Sequence, residues 1–323
     1  KGRPAKNPLI CHLADAESVF RYGRRSPAAE RLAELFWPGP LTLLLPHEGR
    51  IDTVITAGSP LAGFRVPAHP LTRQFLAALN EPIAAPSANR SGRRSPTTAA
   101  MVRAEDDPEY LRQVAGVLDG GPATIGLEST VLAIVREEPA TVRILRPGGL
   151  TAEQLRAAGF AVEVELDATP KFPARDEQAS SANNLPPDDR YLHAPGRLLA
   201  HYAPGVPLLL LPRRPDRGGL SELLHDALNA ALANLSASRE SLERIYWLGF
   251  ADRAAPETLA ARTAGTLDLA PDGDVAAAAR RLFAAFEELR LAGATAIVGE
   301  ELPETGLGAA INDRLRRAAS FRL

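Results

Sequence analysis

Leu41-Thr42-Leu43-Leu44-Leu45 is a run of five strand-length positions, four of them leucine, bounded in front by Pro38-Gly39-Pro40. A run this short and apolar, flanked by breakers, predicts a strand covered on both faces. Ahead of it, Ser26-Pro27 combines an N-cap residue with proline at the first helical position, and Leu32, Leu35 and Phe36 fall on one helical face. Further short strands are predicted at Leu61–Val66, Pro82–Ala85, Thr130–Val135 and Val142–Leu145, the last two joined across Glu137-Glu138-Pro139. Thr151 and Gln154 fit a capping box, with Gly159 as the stop signal.

The pattern fails from Asp167 to Pro204. Prolines at 170, 173, 186 and 187 and the polar stretch Gln178-Ala179-Ser180-Ser181-Ala182-Asn183-Asn184 cannot build a core, so this stretch is expected to be a linker. Alternation resumes after Val206. Strands are predicted at Leu208–Leu211, Ile245–Leu248 and Thr295–Val298. Helices are predicted from Ser221 to about Leu232, from Asp274 with Leu282, Phe283, Phe286 and Leu289 inward, and over Ala309–Ala319. Strand and helix in turn predict a parallel, Rossmann-like sheet. Gly-x-Gly-x-x-Gly is absent, which argues against a dinucleotide site. The expected organisation is α/β throughout: a twisted open sheet with helices over 1–166, a linker or lid over 167–204, and a smaller Rossmann-like parallel domain over 205–323.

At 323 residues the chain exceeds what one core usually holds. The formal net charge is −2, which counts against bulk nucleic-acid binding, and the arginine pairs 24–25, 93–94, 280–281 and 316–317 read as solvated surface charge. Cys11 is the sole cysteine, so neither an internal disulfide nor a cysteine-rich metal module is available. A lone cysteine suits a reducing cytoplasm, and with no membrane-length apolar run no membrane partner is expected.

Several segments carry candidate chemistry. Lys1-Gly2-Arg3-Pro4 sets two cations two residues apart on an extended loop suited to polyphosphate, with Asn7-Pro8 turning the chain before His12. Ser87, Asn89, Ser91 and Ser95 follow directly on a predicted strand and line a candidate phosphate loop, with Ser95-Pro96 expected to open a helix toward the anion. Arg65 and Arg146 stand at strand ends, suited to carboxylate or phosphate; Ser129 and Thr130 place hydroxyls at a strand start; and Gly120-Gly121 permits unusual backbone conformations. His69, before Pro70, reads as structural.

Each signal is common alone; their order is not. Lys-Gly-Arg-Pro-x-x-Asn-Pro-Leu-Ile-x-His, Pro-Gly-Pro-Leu-Thr-Leu, Arg-Val-Pro-x-His-Pro, Ala-Pro-Ser-Ala-Asn-x-Ser-Gly, Asp-Gly-Gly, Glu-Ser-Thr-Val and Arg-Pro-Gly-Gly succeed one another between Lys1 and Gly149. This series strongly resembles the YrdC-like threonylcarbamoyl-AMP synthase family, and the likeness runs to about Ala158. His201-Tyr202-Ala203-Pro204 and Gly306-Leu307-Gly308-Ala309-Ala310-Ile311-Asn312-Asp313-Arg314-Leu315 resemble its long, two-domain form with a regulatory C-terminal domain.

The resemblance implies a nucleotidyltransferase that condenses L-threonine, bicarbonate and ATP into threonylcarbamoyl-adenylate and pyrophosphate for tRNA modification. It implies ATP contacts from Lys1, Arg3, Asn7, Ser87, Asn89, Ser95, Arg146 and Tyr202, Lys1 and Arg3 being the catalytic cations and Tyr202 part of a lid. L-threonine would be held by His12, Arg65, Ala85 and Ser129. Mg2+ would arrive on the ATP phosphates, with no protein metal site. Partners would be the downstream tRNA threonylcarbamoyl transferase proteins, with a weak tRNA contact at most, and the C-terminal domain is expected to dock on the first and control lid closure.

Two departures stand out. Family members carry a strand and a Pro-Thr-Glu-Thr-Val-Tyr-Gly-Leu motif before the Lys-Gly-Arg-Pro loop, whose threonine and tyrosine help form the amino-acid pocket; a truncated chain is therefore expected. The family's Pro-Gly-Met-Lys-Tyr-Arg-His reads here Pro195-Gly196-Arg197-Leu198-Leu199-Ala200-His201, without the Lys and Tyr. The competing reading is a non-catalytic tRNA or double-stranded-RNA-binding module, which the near-neutral charge disfavours. A carbamoyl transferase of hydrogenase maturation, which has a related domain, is disfavoured by the single cysteine.

Overall fold

A computed structural model of the chain describes residues 1–105, 107–165, 202–214, 222–238 and 242–323. The expected linker, apart from Tyr202-Ala203-Pro204, lies outside them, as does the motif Pro195–His201 and the predicted cap Ser221. By packing, the chain divides into two compact units that do not follow its order. One joins Gly2–Ser87 to Glu128–Leu199; the other gathers Lys1, Ala88–Leu127 and Ala200–Leu323.

The first unit is built on a seven-stranded open sheet in the order β4-β1-β3-β2-β5-β6-β7. Its strands are β1 (Ile10–His12), β2 (Leu41–Pro46), β3 (Leu61–Arg65), β4 (Ile83–Ala85), β5 (Thr130–Arg136), β6 (Thr141–Arg146) and β7 (Ala161–Val164). The pairings are mixed: β1–β3, β2–β5 and β6–β7 are parallel, the other three antiparallel. The leucine run of β2 lies in the middle, with Leu41 to Leu45 all buried, as a strand covered on both faces must be. Helix α1 (Ala16–Phe20) precedes α2 (Pro27–Phe36), and α3 (Thr53–Thr56), α4 (Pro70–Leu79) and α7 (Ala152–Ala157) also belong to this unit. The start of α2 follows the sequence signal: Ser26 Oγ accepts from the Ala29 N–H and Pro27 fills the first turn. The expected inward face of α2 needs one correction. Leu32 is fully buried, but Leu35 is 53% exposed, because the buried stripe runs through Ala28, Ala29, Leu32 and Ala33. The capping box of Thr151 and Gln154 at α7 is present in both directions.

The second unit contains a five-stranded sheet ordered β10-β9-β11-β8-β12, in which every pairing is parallel. The strands are β8 (Leu208–Leu211), β9 (Ile245–Gly249), β10 (Thr263–Asp268), β11 (Ala296–Glu300) and β12 (Phe321–Arg322). Around them lie α8 (Glu222–Ser238), α9 (Glu257–Ala260), α10 (Val275–Leu291) and α11 (Leu307–Ala318). Asp274 caps α10 through the Ala276 N–H, and Leu282, Phe283, Phe286 and Leu289 all face the core. The short helices α5 (Ala99–Arg103) and α6 (Pro108–Arg112) belong to this unit too, with Met101 and Leu127 packed on the same core. The helix expected to open at Ser95-Pro96 starts later: Thr98 is the cap, accepting from the Met101 N–H. Five residues at α5 make only a weak dipole, so the anion-facing helix end is not a feature of this loop.

In two of the arginine pairs one member is held by a carboxylate. Arg94 is 6% exposed and paired with Glu287, and Arg316 chelates Glu301 through two bonds of 2.6 and 2.9 Å. The net charge is a sum over the chain, 37 Lys and Arg against 39 Asp and Glu, and does not report which of those charges are paired.

Candidate active site

In the first unit, sheet register brings the candidate residues together. On β1, His12 stands opposite Arg65 on β3 and opposite Ile83 on β4, while Ile10 stands opposite Ala85. His12 and Arg65 are thus lateral neighbours on parallel strands. Arg65 Nε donates to the Gly39 carbonyl at 3.1 Å, tying the strand end to the breaker that precedes β2. Burial lowers the His12 imidazole to about 4, with the Arg65 cation pushing the same way and the backbone of Ile83 and Ile10 partly offsetting it. At neutral pH His12 is therefore uncharged. Its Nδ1 is buried without a hydrogen-bond partner among the described residues.

Arg65 is itself held down, to about 10, first by burial and then by the nearby Arg146 cation, against the pull of Glu128. Two guanidinium groups close enough to oppose each other's charge form a place where an anion is stabilised. Arg146, at the end of β6, is 4% exposed. Its Nε and one terminal nitrogen donate to the Ser129 carbonyl at 3.2 and 2.7 Å, and the latter also reaches Ser129 Oγ at 3.2 Å. Ser129 Oγ in turn shares a 2.7 Å hydrogen bond with Thr42 Oγ1. Beside it, Thr130 Oγ1 donates to the Leu150 carbonyl at 2.6 Å and accepts from the Leu150 N–H at 3.0 Å.

The Arg146-Pro147-Gly148-Gly149 turn makes this possible. A Cβ on Gly148 would lie 2.4 Å from the Glu128 carbonyl oxygen, 2.5 Å from the Ser129 carbonyl carbon and 2.6 Å from the Thr130 nitrogen. Only glycine allows the backbone of the turn to lie on the start of β5, where Gly149 N–H bonds the Glu128 carbonyl at 3.0 Å.

At the start of this unit, Arg3 folds back on its own loop. Its Nε donates to the Asn7 carbonyl at 3.0 Å and a terminal nitrogen to the Pro8 carbonyl at 2.6 Å, while Asn7 N–H bonds the Pro4 carbonyl at 3.0 Å. Asn7 is 5% exposed; Ser87, just past β4, is half-buried.

The second unit holds Lys1, Asn89, Ser95 and Tyr202. Lys1 Nζ donates to the Asn89 carbonyl, and the Lys1 carbonyl accepts from Ser91 N–H at 3.0 Å. Asn89 is 2% exposed and staples its loop, Nδ2 donating to the carbonyls of Arg90 at 2.7 Å and Arg93 at 2.8 Å. Its Oδ1 is buried with no partner among the described residues. Ser95 is 7% exposed. Tyr202 is fully buried, its ring 5.6 Å from that of Phe283 on α10 and 5.2 Å from the Arg314 guanidinium carbon on α11. In this structure the Tyr202 ring is packed in the core of the second unit.

Comparison with known proteins places this arrangement. The model described as telomere recombination, Sua5/YciO/YrdC, matches residues 1–148, and the threonylcarbamoyl-AMP synthase C-terminal domain matches residues 150–320. The threonylcarbamoyl-AMP synthase of Pyrococcus abyssi is 34% identical over 327 residues, which take in 100% of this chain and 83% of that protein. That of Bacillus subtilis is 34% identical over 329 residues, 100% of this chain and 82% of that one. The chain belongs to the threonylcarbamoyl-AMP synthase family. A crystal structure of P. abyssi Sua5 complexed with L-threonine superposes with a TM-score of 0.73 at 30% identity, covering 100% of this chain and 84% of that one.

Thr42, Glu128 and Gly148 stand within the motifs, but the sequence alone gives them no role at the site. Thr42 did leave a signal: it is the one polar residue inside a leucine strand, fully buried, and a hydroxyl there needs a partner. Glu128 acts on Arg65 through space and Gly148 through backbone contact, and neither kind of relation is local in sequence. Among the described residues, no helix is long and apolar enough to cross a membrane.

Proposed function

We propose that this synthase-family chain condenses L-threonine, bicarbonate and ATP to threonylcarbamoyl-adenylate and pyrophosphate, the activated donor for tRNA threonylcarbamoyladenosine. The observation that carries the reading is one grouping: His12 beside Arg65 in strand register, the Arg146 cation near enough to oppose that of Arg65, and Arg146 bonded to Ser129. The chemistry asks for that. The threonine amine attacks the bicarbonate carbon, a C–N bond forms and water leaves, giving a carbamate. A carbamate oxygen then attacks the α-phosphorus, and the bond to the β-phosphate oxygen breaks to release pyrophosphate. Both reactants of the second step are anions, so fixed positive charge must offset their repulsion.

In this reading Arg65 grips the threonine carboxylate and Ser129 its neighbourhood, with Ala85 offering backbone. Neutral His12 hydrogen-bonds the amino acid through Nδ1 without competing for the carboxylate. Arg146, Arg3, Asn7, Ser87, Asn89, Ser95 and Lys1 meet the nucleotide, Lys1 and Arg3 offsetting charge at its phosphates, and Tyr202 serves the lid. Mg2+ would travel with the triphosphate, where it neutralises charge. The product is a mixed anhydride, which water destroys, and this suits direct transfer to a tRNA threonylcarbamoyl transferase in the cytoplasm, with at most weak tRNA contact.

Mass spectrometry of reactions with isotopically labelled bicarbonate tests this. Threonylcarbamoyl-AMP should appear carrying the label and vanish when threonine is left out. Folded protein that releases pyrophosphate equally well without threonine or bicarbonate would refute it.

A further inference from the structure

The loop that carries Asn89 and Ser95 lies in the same compact unit as the C-terminal helices. It is held there by contacts far apart in sequence. Arg93 and Ala203 form a parallel bridge, with Ala203 N–H donating to the Gly92 carbonyl at 2.9 Å. Gly126, where the segment ends, has its Cα pressed onto α10: a Cβ would lie 2.4 Å from the Ala279 carbonyl oxygen and from the Arg280 Cα. Between these two attachments, Arg94 enters the interior and pairs with Glu287 of α10. Both partners are almost wholly buried, Arg94 at 6% and Glu287 at 7% exposure. Glu287 also takes two bonds from Arg290, at 2.9 and 3.0 Å.

A buried ion pair is a poor source of net stability, because desolvation offsets most of the attraction. What it does supply is geometry: a guanidinium taken out of water has few positions in which its charge is met. Arg94 is one residue from Ser95 and one from Arg93, whose carbonyl accepts from Asn89. Fixing Arg94 therefore fixes both ends of the loop. We propose that Glu287 is a positioning residue for the nucleotide loop, acting from the C-terminal domain through Arg94. The proposal rests on the reading that Asn89 and Ser95 meet ATP. It gives the C-terminal domain a defined role in ATP binding, separate from any lid.

The test is a split in Michaelis constants for the full chain. Glu287→Gln keeps the side-chain shape and removes the charge; it should raise KM for ATP about ten-fold while KM for threonine moves less than about two-fold. Arg94→Met, which leaves the Arg290 bonds to Glu287 in place, should do the same, and the double variant should be no worse than Glu287→Gln, since both single variants break the Arg94–Glu287 pair. Glu301→Gln, which breaks the Arg316 pair elsewhere in the same unit, should leave both constants unchanged. If Glu287→Gln does not fold, Glu287→Asp, which keeps the charge but shortens its reach, is read by the same split. A folded Glu287 variant with wild-type KM for ATP, or one that raises both constants together, overturns the proposal. Asn89→Ala separates the two ideas: no effect on ATP sinks the nucleotide-loop reading, whereas a raised KM there with a silent Glu287 variant sinks only the positioning role.

Discussion

Replacing Gly148 by alanine adds one methyl group and should cripple the site. The new carbon would meet three backbone atoms of residues 128–130 at 2.4, 2.5 and 2.6 Å. Carbon contacts are comfortable only at about 3.5 Å or more, so the turn and the start of β5 must part by about 1 Å. None of the three atoms belongs to a side chain that can rotate away. Overpacking of this kind costs about 1–3 kcal/mol, which lowers Tm by about 2–12 °C for a unit of this size. The larger effect is on catalysis. The carbonyl that must move is that of Ser129, which accepts from Arg146 at 2.7 and 3.2 Å. A shift of about 1 Å breaks at least the longer bond and releases the guanidinium from its fixed place; a misplacement of that size can cost about 100-fold in rate. Thermal melts and the threonine-dependent release of pyrophosphate measure both effects. Gly116→Ala is the control, since nothing lies within 4 Å of a Cβ there. If Gly148→Ala matches wild type in Tm and kcat/KM, the close approach of the turn to β5 is not what shapes the site.

Three further outcomes follow from named contacts. His12 titrates at about 4 when folded against 6.5 in the open chain, so the unfolded state binds the proton more readily: its share of stability is present above pH 6.5 and is lost as pH falls toward 4. Urea unfolding should therefore lose about 2–3 kcal/mol between pH 7.5 and 4.5, a loss that His12→Gln removes; an unchanged pH slope in that variant would show that His12 is not the group responsible. Thr42→Val keeps the shape of a fully buried side chain and deletes the hydrogen bond to Ser129 Oγ, costing about 1 kcal/mol and raising KM for threonine about five-fold with KM for ATP unchanged. Asp274→Ala uncaps α10, which should lower Tm by about 2–4 °C and leave both Michaelis constants alone.

What could be read along the chain was what short-range physics decides. Ser26, Thr151 and Asp274 announce helix starts because a cap is a bond to a backbone N–H two or three residues on. The leucine run of β2 announces a buried strand because burial on both faces removes the alternation. Ordered motifs made the family recognisable, and the relatives matched along the whole of this chain agree with it. The misreadings have one source. Leu35 looked inward because its spacing from Leu32 is helical, yet the buried stripe of α2 follows its alanines. Ser95-Pro96 looked like a helix start because its local chemistry is right, while the cap that forms is Thr98. In both cases the deciding partner is tertiary.

The same reasoning explains why the path of Ala88–Leu127 was not legible. Its motifs belong with the preceding strands, and a division in chain order at residue 166 keeps it there, whereas packing groups it with Ala200–Leu323. The contacts responsible are Arg94 with Glu287, Gly126 on the backbone of α10, and Gly92 with Ala203, each spanning more than a hundred residues. None has a periodicity, and an arginine that finds a carboxylate across such a distance is spelled no differently from one left in water. The discriminating property is desolvation. Arg94 and Arg93 adjoin in a basic pair, but only Arg94 sits where its charge must be met inside the protein. In the proposed site, whose residues apart from Tyr202 lie ahead of residue 150, the C-terminal domain can thereby matter for nucleotide binding. It needs no catalytic group there, only a carboxylate placed where the loop's one buried cation must go.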